Sequence, residues 1–167
     1  MRTFFLGLIA ALLILLIGFV AYGREKTWET FFGNADIGPI DFNNLARTGK
    51  PNDALICSEG FCPEGQNADA TLPTYNLQPA QLIERLEENI RSMGQIYKRV
   101  DDRSDPNQIR FITWSNLMRF PDINIFTVVA IDGEKTALLG YAAAQLGYSD
   151  TGANLKRLKI LTENLAR

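Results

Sequence analysis

Asp150-Thr151-Gly152 is the tripeptide with which aspartic proteases bring two carboxylates onto one shared proton and one water, and a single copy per subunit suffices in a dimeric enzyme. Its context here argues otherwise. Such a site needs an apolar strand before it and more sheet after it, but Gly147-Tyr148-Ser149 precedes it and a helical pattern runs from it to the C-terminus. Asp150 reads instead as a helix N-cap whose carboxylate accepts orphan backbone N–H groups, for about 1 kcal/mol. Lys156 and Arg157 follow, and cations in the first turns oppose the helix dipole. They either help a helix N-terminus hold an anion, or Arg157 forms an ion pair with Asp150 or with Asp122. Asp122 ends the turn-like run Arg119-Phe120-Pro121-Asp122.

The chain holds no histidine among its 167 residues. This excludes a Ser-His-Asp or Cys-His relay, His-ligated zinc and axial-His haem. Serine, threonine and tyrosine hydroxyls are present, but no Ser-x-x-Lys spacing supplies a lysine base. No cofactor motif occurs. The sequence offers no metal site: two cysteines cannot build a four-thiolate centre, and the aspartates of Asp101–Gln108 do not follow the calcium-loop spacing and read as a solvated turn. A net charge of −2 and a pI near 5.2 argue against nucleic acid as a partner.

Cys57 and Cys62 enclose Ser58-Glu59-Gly60-Phe61, a turn-like stretch. The pair can close a disulfide in an oxidising compartment, or remain two thiols in a cytosolic loop. Its spacing is wider than the redox Cys-x-x-Cys.

Thr3 to Tyr22, with Leu13 near its middle, is apolar apart from Thr3 and two glycines and carries no charge. A bilayer core of about 30 Å needs about 20 such residues. A cleaved signal peptide is the competing reading, with Ala21 and Gly23 as small residues near a cleavage point, although signal cores run to only about 7–15 residues. Arg2 lies on one side and Arg24 with Lys26 on the other, so the positive-inside rule does not choose an orientation. The chain therefore divides into an anchor or uncleaved signal over 1–23, a juxtamembrane segment over 24–44 bearing Trp28, Phe31, Phe32 and Phe42, and a globular domain over 45–167.

Within that domain, Ala54–Cys57 is a short apolar run and residues 58–73 read as a loop. Pro79–Met93 predicts a helix, with Leu82, Ile83, Leu86, Ile90 and Met93 on one stripe and Gly94 as a stop. Strands are expected over Ile96–Val100, Ile109–Trp114, Ile123–Ile131 and Thr136–Leu146, the last two joined at Asp132-Gly133. A final helix over Asp150–Ala166 lines up Leu155, Leu158, Leu161 and Leu165. The order gives an α+β fold: an N-terminal transmembrane helix, then an antiparallel sheet of about four to five strands with two helices on one face.

The run Gly147-Tyr148-Ser149-Asp150, followed by Gly152, Asn154, Lys156 and Arg157, resembles the C-terminal signature of the family known as domain of unknown function 1499. The two cysteines near the domain start and Phe120-Pro121-Asp122 before the central hairpin fit the same family, and the similarity spans about residues 45–166. That family carries a serine- and arginine-rich run on the strand before the signature. Here the strand reads Tyr141-Ala142-Ala143-Ala144-Gln145, so no polar site is carried over there. The resemblance implies a bacterial envelope or organelle-lumen setting and a shared polar cluster of Asp122, Asp150, Asn154 and Arg157, beside Ser149. It brings no established activity.

The sequence thus points to a single-pass protein of the inner membrane with its domain on the periplasmic side. The expected role is a non-enzymatic module binding an envelope protein partner or a small ligand. Two alternatives stand beside it: a carboxylate-based hydrolase or transferase acting on an anionic envelope substrate through Asp122 or Asp150, with Arg157 holding the anion, and a redox couple at Cys57 and Cys62. Solvent access decides the first, because side chains lining an open cleft favour an enzyme and buried, mutually bonded ones favour scaffold.

Overall fold

A computed structural model describes residues 1–165. Helix α1, Arg2–Tyr22, is about 31 Å long at 1.5 Å per residue and buries none of its side chains. It is long and apolar enough to cross a membrane. Gly23, at φ 104°, turns the chain directly into a second helix, α2 (Arg24–Phe32), which no helical periodicity announces.

The domain is built on a six-stranded sheet in the order β2-β1-β6-β5-β4-β3, from β1 (Asp53–Ser58), β2 (Ala70–Leu72), β3 (Tyr97–Arg99), β4 (Gln108–Trp114), β5 (Pro121–Asp132) and β6 (Lys135–Ala144). The α+β class stands, with one strand more than expected. The sheet is mixed rather than antiparallel, because β2 lies in the stretch read as a loop and pairs parallel to β1. Three residues are too few to show alternation. Every other pairing is antiparallel. The turn between β5 and β6 centres on Gly133-Glu134, one residue later than Asp132-Gly133, because Asp132 pairs with Lys135 and its Oδ1 accepts the N–H groups of both Glu134 and Lys135.

Alternation along the strands splits the core into two layers. On one face Ile56, Phe111, Phe126, Val128 and Leu138 meet Leu82, Leu86 and Ile90 of helix α3 (Pro79–Ser92) and Leu158 and Leu161 of helix α4 (Ala153–Thr162). Both helices therefore share one face. A capping box between Gln78 and Gln81 and a proline in the first turn start α3. The opposite layer, around Leu55, Ile123, Ile125, Leu139 and Tyr141, is covered by Ala35, Phe42 and Leu45 of the segment after α2. Arg110 holds that segment through Asp36 at 3.2 Å.

Helix α4 begins three residues later than the expected Asp150. Thr151 and Gly152 have φ of 54° and 80°, a left-handed conformation no α-helix includes. Ala166, where the expected helix ends, lies outside the described residues.

Cys57 and Cys62 form a disulfide, with Sγ atoms 2.08 Å apart. It ties the buried end of β1 to the start of the crossover into β2. For so short a ring, loop-closure entropy gives about 2 kcal/mol. Reduction is therefore expected to lower the unfolding free energy by about that amount, read as a lower urea midpoint with dithiothreitol than without; an unchanged midpoint would show that the bond carries no stability.

Candidate functional site

The residues singled out from sequence converge at one end of the sheet, under the start of α4. Asp122 and Asn124 of β5 and Thr113 of β4 share the helix-facing side, where the apolar layer gives way to polar groups. Asn154 and Arg157, one turn apart, lead the stripe that continues apolar as Leu158 and Leu161.

Arg157 is the hub, and it is buried. Its Nη2 donates to Asp122 Oδ2 at 2.7 Å, Nη1 to Asn154 Oδ1 at 2.6 Å and Asn124 Oδ1 at 3.2 Å, and Nε to Gln95 Oε1 at 3.0 Å. Four of the five guanidinium N–H groups are thus used inside the protein. Of the two partners considered for Arg157, Asp122 is the one it meets. Asn154, fully buried, donates to the Asn52 carbonyl at 3.1 Å and so pins α4 to the edge of β1. Asp150 is not the N-cap residue, yet its carboxylate serves that end of the helix: Oδ1 accepts from Gly152 N at 2.9 Å and Oδ2 from Asn154 N at 2.8 Å. Ser149 is exposed, and its Oγ accepts the Thr151 N–H.

Asp122, Ser149, Asp150 and Arg157 line an open cleft of about 590 Å³, together with Gln95, Ser115, Asn116, Phe120 and Thr151. Asn154 lies beneath it. Only Asp122 Oδ2 is bonded; among the described residues no donor reaches Oδ1. Burial pushes the Asp122 carboxyl above its ordinary range. The Arg157 charge and hydrogen bond pull it back without cancelling that rise, and the nearby Asp150 carboxylate adds to it. The cleft therefore presents carboxylate and hydroxyl oxygens, while its cation is neutralised within the wall.

The family described as "Protein of unknown function (DUF1499)" matches residues 41–165. The chain belongs to this family. No curated protein and no solved structure matches it. The match to the DUF1499 family covers every element from the turn at Phe42–Asn44 to α4 and leaves α1 and α2 outside.

Two members of the DUF1499 chain's polar cluster went unread in the sequence. Gln95 sits in the turn after α3, where nothing marks it. Asn124 carried a signal: an amide between Ile123 and Ile125 in a central strand must find partners when buried, and it is fully buried. A second polar knot also went unread. Arg47 bridges Asp53 at 2.7 Å and Asp69 at 2.8 Å, and Tyr141 donates to Asp53 at 3.2 Å. It clamps the crossover to β2. Among the described residues no three His, Cys, Asp or Glu side chains gather into a metal-binding group. Of the aspartates in the turn after β3, Asp101 pairs with Arg99, while Asp102 and Asp105 are exposed and accept the N–H groups of Ser104 and Asn107 within the turn.

Proposed function

We propose that the protein is a membrane-anchored binding module of the cell envelope. Residues 1–23 anchor it in the inner membrane, 24–44 form the juxtamembrane segment, and the domain over 45–167 stands on the periplasmic side. Its cleft takes a small polar ligand, or a partner's polar terminus, without turning it over. The disulfide supports the oxidising compartment. The observation that carries the binding reading is the unpaired Oδ1 of Asp122 in the cleft wall, beside Ser149 and Asp150. Such an acceptor-rich wall favours ligands that donate, namely amines and polyols. The hydrolase reading needs Arg157 free to hold an anion, and its bonds to Asp122, Asn124, Asn154 and Gln95 speak against that.

The test is thermal unfolding of the full chain in detergent with ethanolamine, spermidine, glucosamine, phosphate and citrate. A ligand at a hundred times its Kd stabilises by about 2.7 kcal/mol. Amine or hydroxyl donors are expected to raise the transition in the wild type and not in Asp122→Asn, checked for folding by circular dichroism. Stabilisation by the anions alone, or ester or phosphomonoester turnover lost in Asp122→Asn, would replace this reading with the hydrolase. A C-terminal alkaline phosphatase fusion active in intact cells, with a dark fluorescent-protein fusion, tests the orientation.

A further inference from the structure

Helix α2 does not trail away from the end of α1. It folds back on it: Tyr22 Oη and Thr30 Oγ1 are hydrogen-bonded at 3.1 Å, and the Trp28 ring meets Phe19, inside the apolar helix, at 5.4 Å. The other side of the same indole faces the domain. Trp28 lies 5.0 Å from Phe120, and its Nε1 donates to the Met118 carbonyl at 2.7 Å. Arg24, two residues past α1, donates to the Leu117 carbonyl, and Arg119 pairs with Glu25 at 3.7 Å. Gln145 adds bonds to the Phe32 and Gly33 carbonyls. The loop joining β4 to β5 is therefore fastened to the last turns of α1 through α2.

Depth follows from this fastening. The interfacial layer on either side of the hydrocarbon core is roughly 5–8 Å deep. Leu117 sits one arginine side chain from the end of α1, and Trp28, level with Phe19, occupies the position that interfacial tryptophans favour. On this surface Leu117 is 77% exposed and Phe31 74%. In water such side chains have nothing to meet. Against lipid they have acyl chains, at about 25 cal/mol per Å² buried.

We infer that α2 and the β4–β5 loop form a lipid-contacting face, with Leu117 inserted at the headgroup–acyl boundary. The occupant is the bilayer surface, chosen because the face is continuous with the membrane helix. Phe120 belongs both to this face and to the cleft wall, which brings the cleft mouth to headgroup level. The inference rests on α1 being an uncleaved span, and its test separates the two.

Because both native cysteines are bonded to each other, an introduced thiol is the one labelled. Leu13→Cys, Leu117→Cys and Glu134→Cys are labelled with an environment-sensitive fluorophore in the full chain. The chain is reconstituted into vesicles of phosphatidylcholine and phosphatidylglycerol carrying nitroxide lipids. Glu134 is the aqueous control, because β5 runs about 36 Å between the loop and the hairpin at 3.3 Å per residue. Strong quenching is expected at 13 and 117, with emission at 117 lost several-fold more than at 134. Quenching at 13 with 117 no different from 134 overturns the lipid-contacting face alone. No quenching at 13 overturns the span and this inference together.

Discussion

Replacing Arg157 with alanine is expected to lower the unfolding free energy by about 3–5 kcal/mol, the range for removing one partner of a buried pair. The reason is what stays behind. Asp122, Asn124, Asn154 and Gln95 each lose a donor, and Asp122 keeps a carboxylate whose charged form burial already disfavours. A domain of this size is stable by only about 5–15 kcal/mol, so a large share of folding rests on one side chain. Lysine should not restore it, because a point charge cannot serve acceptors spread around a planar fork. The double change Asp122→Asn with Arg157→Met should lose less than the two singles summed, since it leaves no stranded charge. The measurement is urea unfolding of the full chain in detergent. A loss under about 1 kcal/mol, the range of exposed pairs, would show that solvent already screens this one. The expected outcome makes Arg157 a scaffold residue that holds Asp122 at the cleft.

The second large effect lies at the centre of the sheet. Phe126→Ala is expected to cost about 3–5 kcal/mol. The ring is fully buried, stacked 9° from parallel on Phe111 with centroids 6.3 Å apart, and it covers its cross-strand partner Gly140. That glycine is there for space: a Cβ on it would lie 2.7 Å from Phe126 Cε1 and 3.0 Å from Ile56 Cγ1. Gly140→Ala alone should then cost about 1–3 kcal/mol through overpacking. In a Phe126→Leu background the same alanine should cost clearly less, a coupling that double-mutant unfolding measures directly. Strictly additive losses would show that the ring yields freely and that the contact is not what excludes a side chain.

How much of the fold is legible in the sequence follows from which signals are local. Helix α3 was legible because Leu82, Leu86 and Ile90 repeat at the helical period over a full face. Strands β4 and β5 were legible because their β-branched and aromatic runs end at turn residues, and β6 as the strand returning from the Asp132-Gly133 turn. Helix α2 was not, since its apolar residues Trp28, Phe31 and Phe32 serve α1, the domain and the surface at once, and no single stripe results. Strand β2 was hidden because its pairing depends on a clamp, Arg47 between Asp53 and Asp69, that joins residues far apart in the chain. The site divides in the same way. Asp122, Asp150 and Arg157 stood out as charged or capping residues near helix and strand ends and Asn154 through the family signature, whereas Gln95 reaches Arg157 across 62 positions that no spacing rule connects.

The sheet's two outer strands bear on how this domain can meet another protein. β2 and β3 are each three residues long, β2 is followed at once by Pro73, and Lys98 points outward from the middle of β3. A visiting chain could form only a couple of ladder bonds on either rim before running out of template, and on β3 it would meet a charge. Both rims thereby disfavour donor-strand complementation and fibre-like stacking. A protein partner meeting either rim would be held by side chains rather than by an added strand, an interface whose strength rests on a few anchoring groups and which point substitutions can therefore dissect.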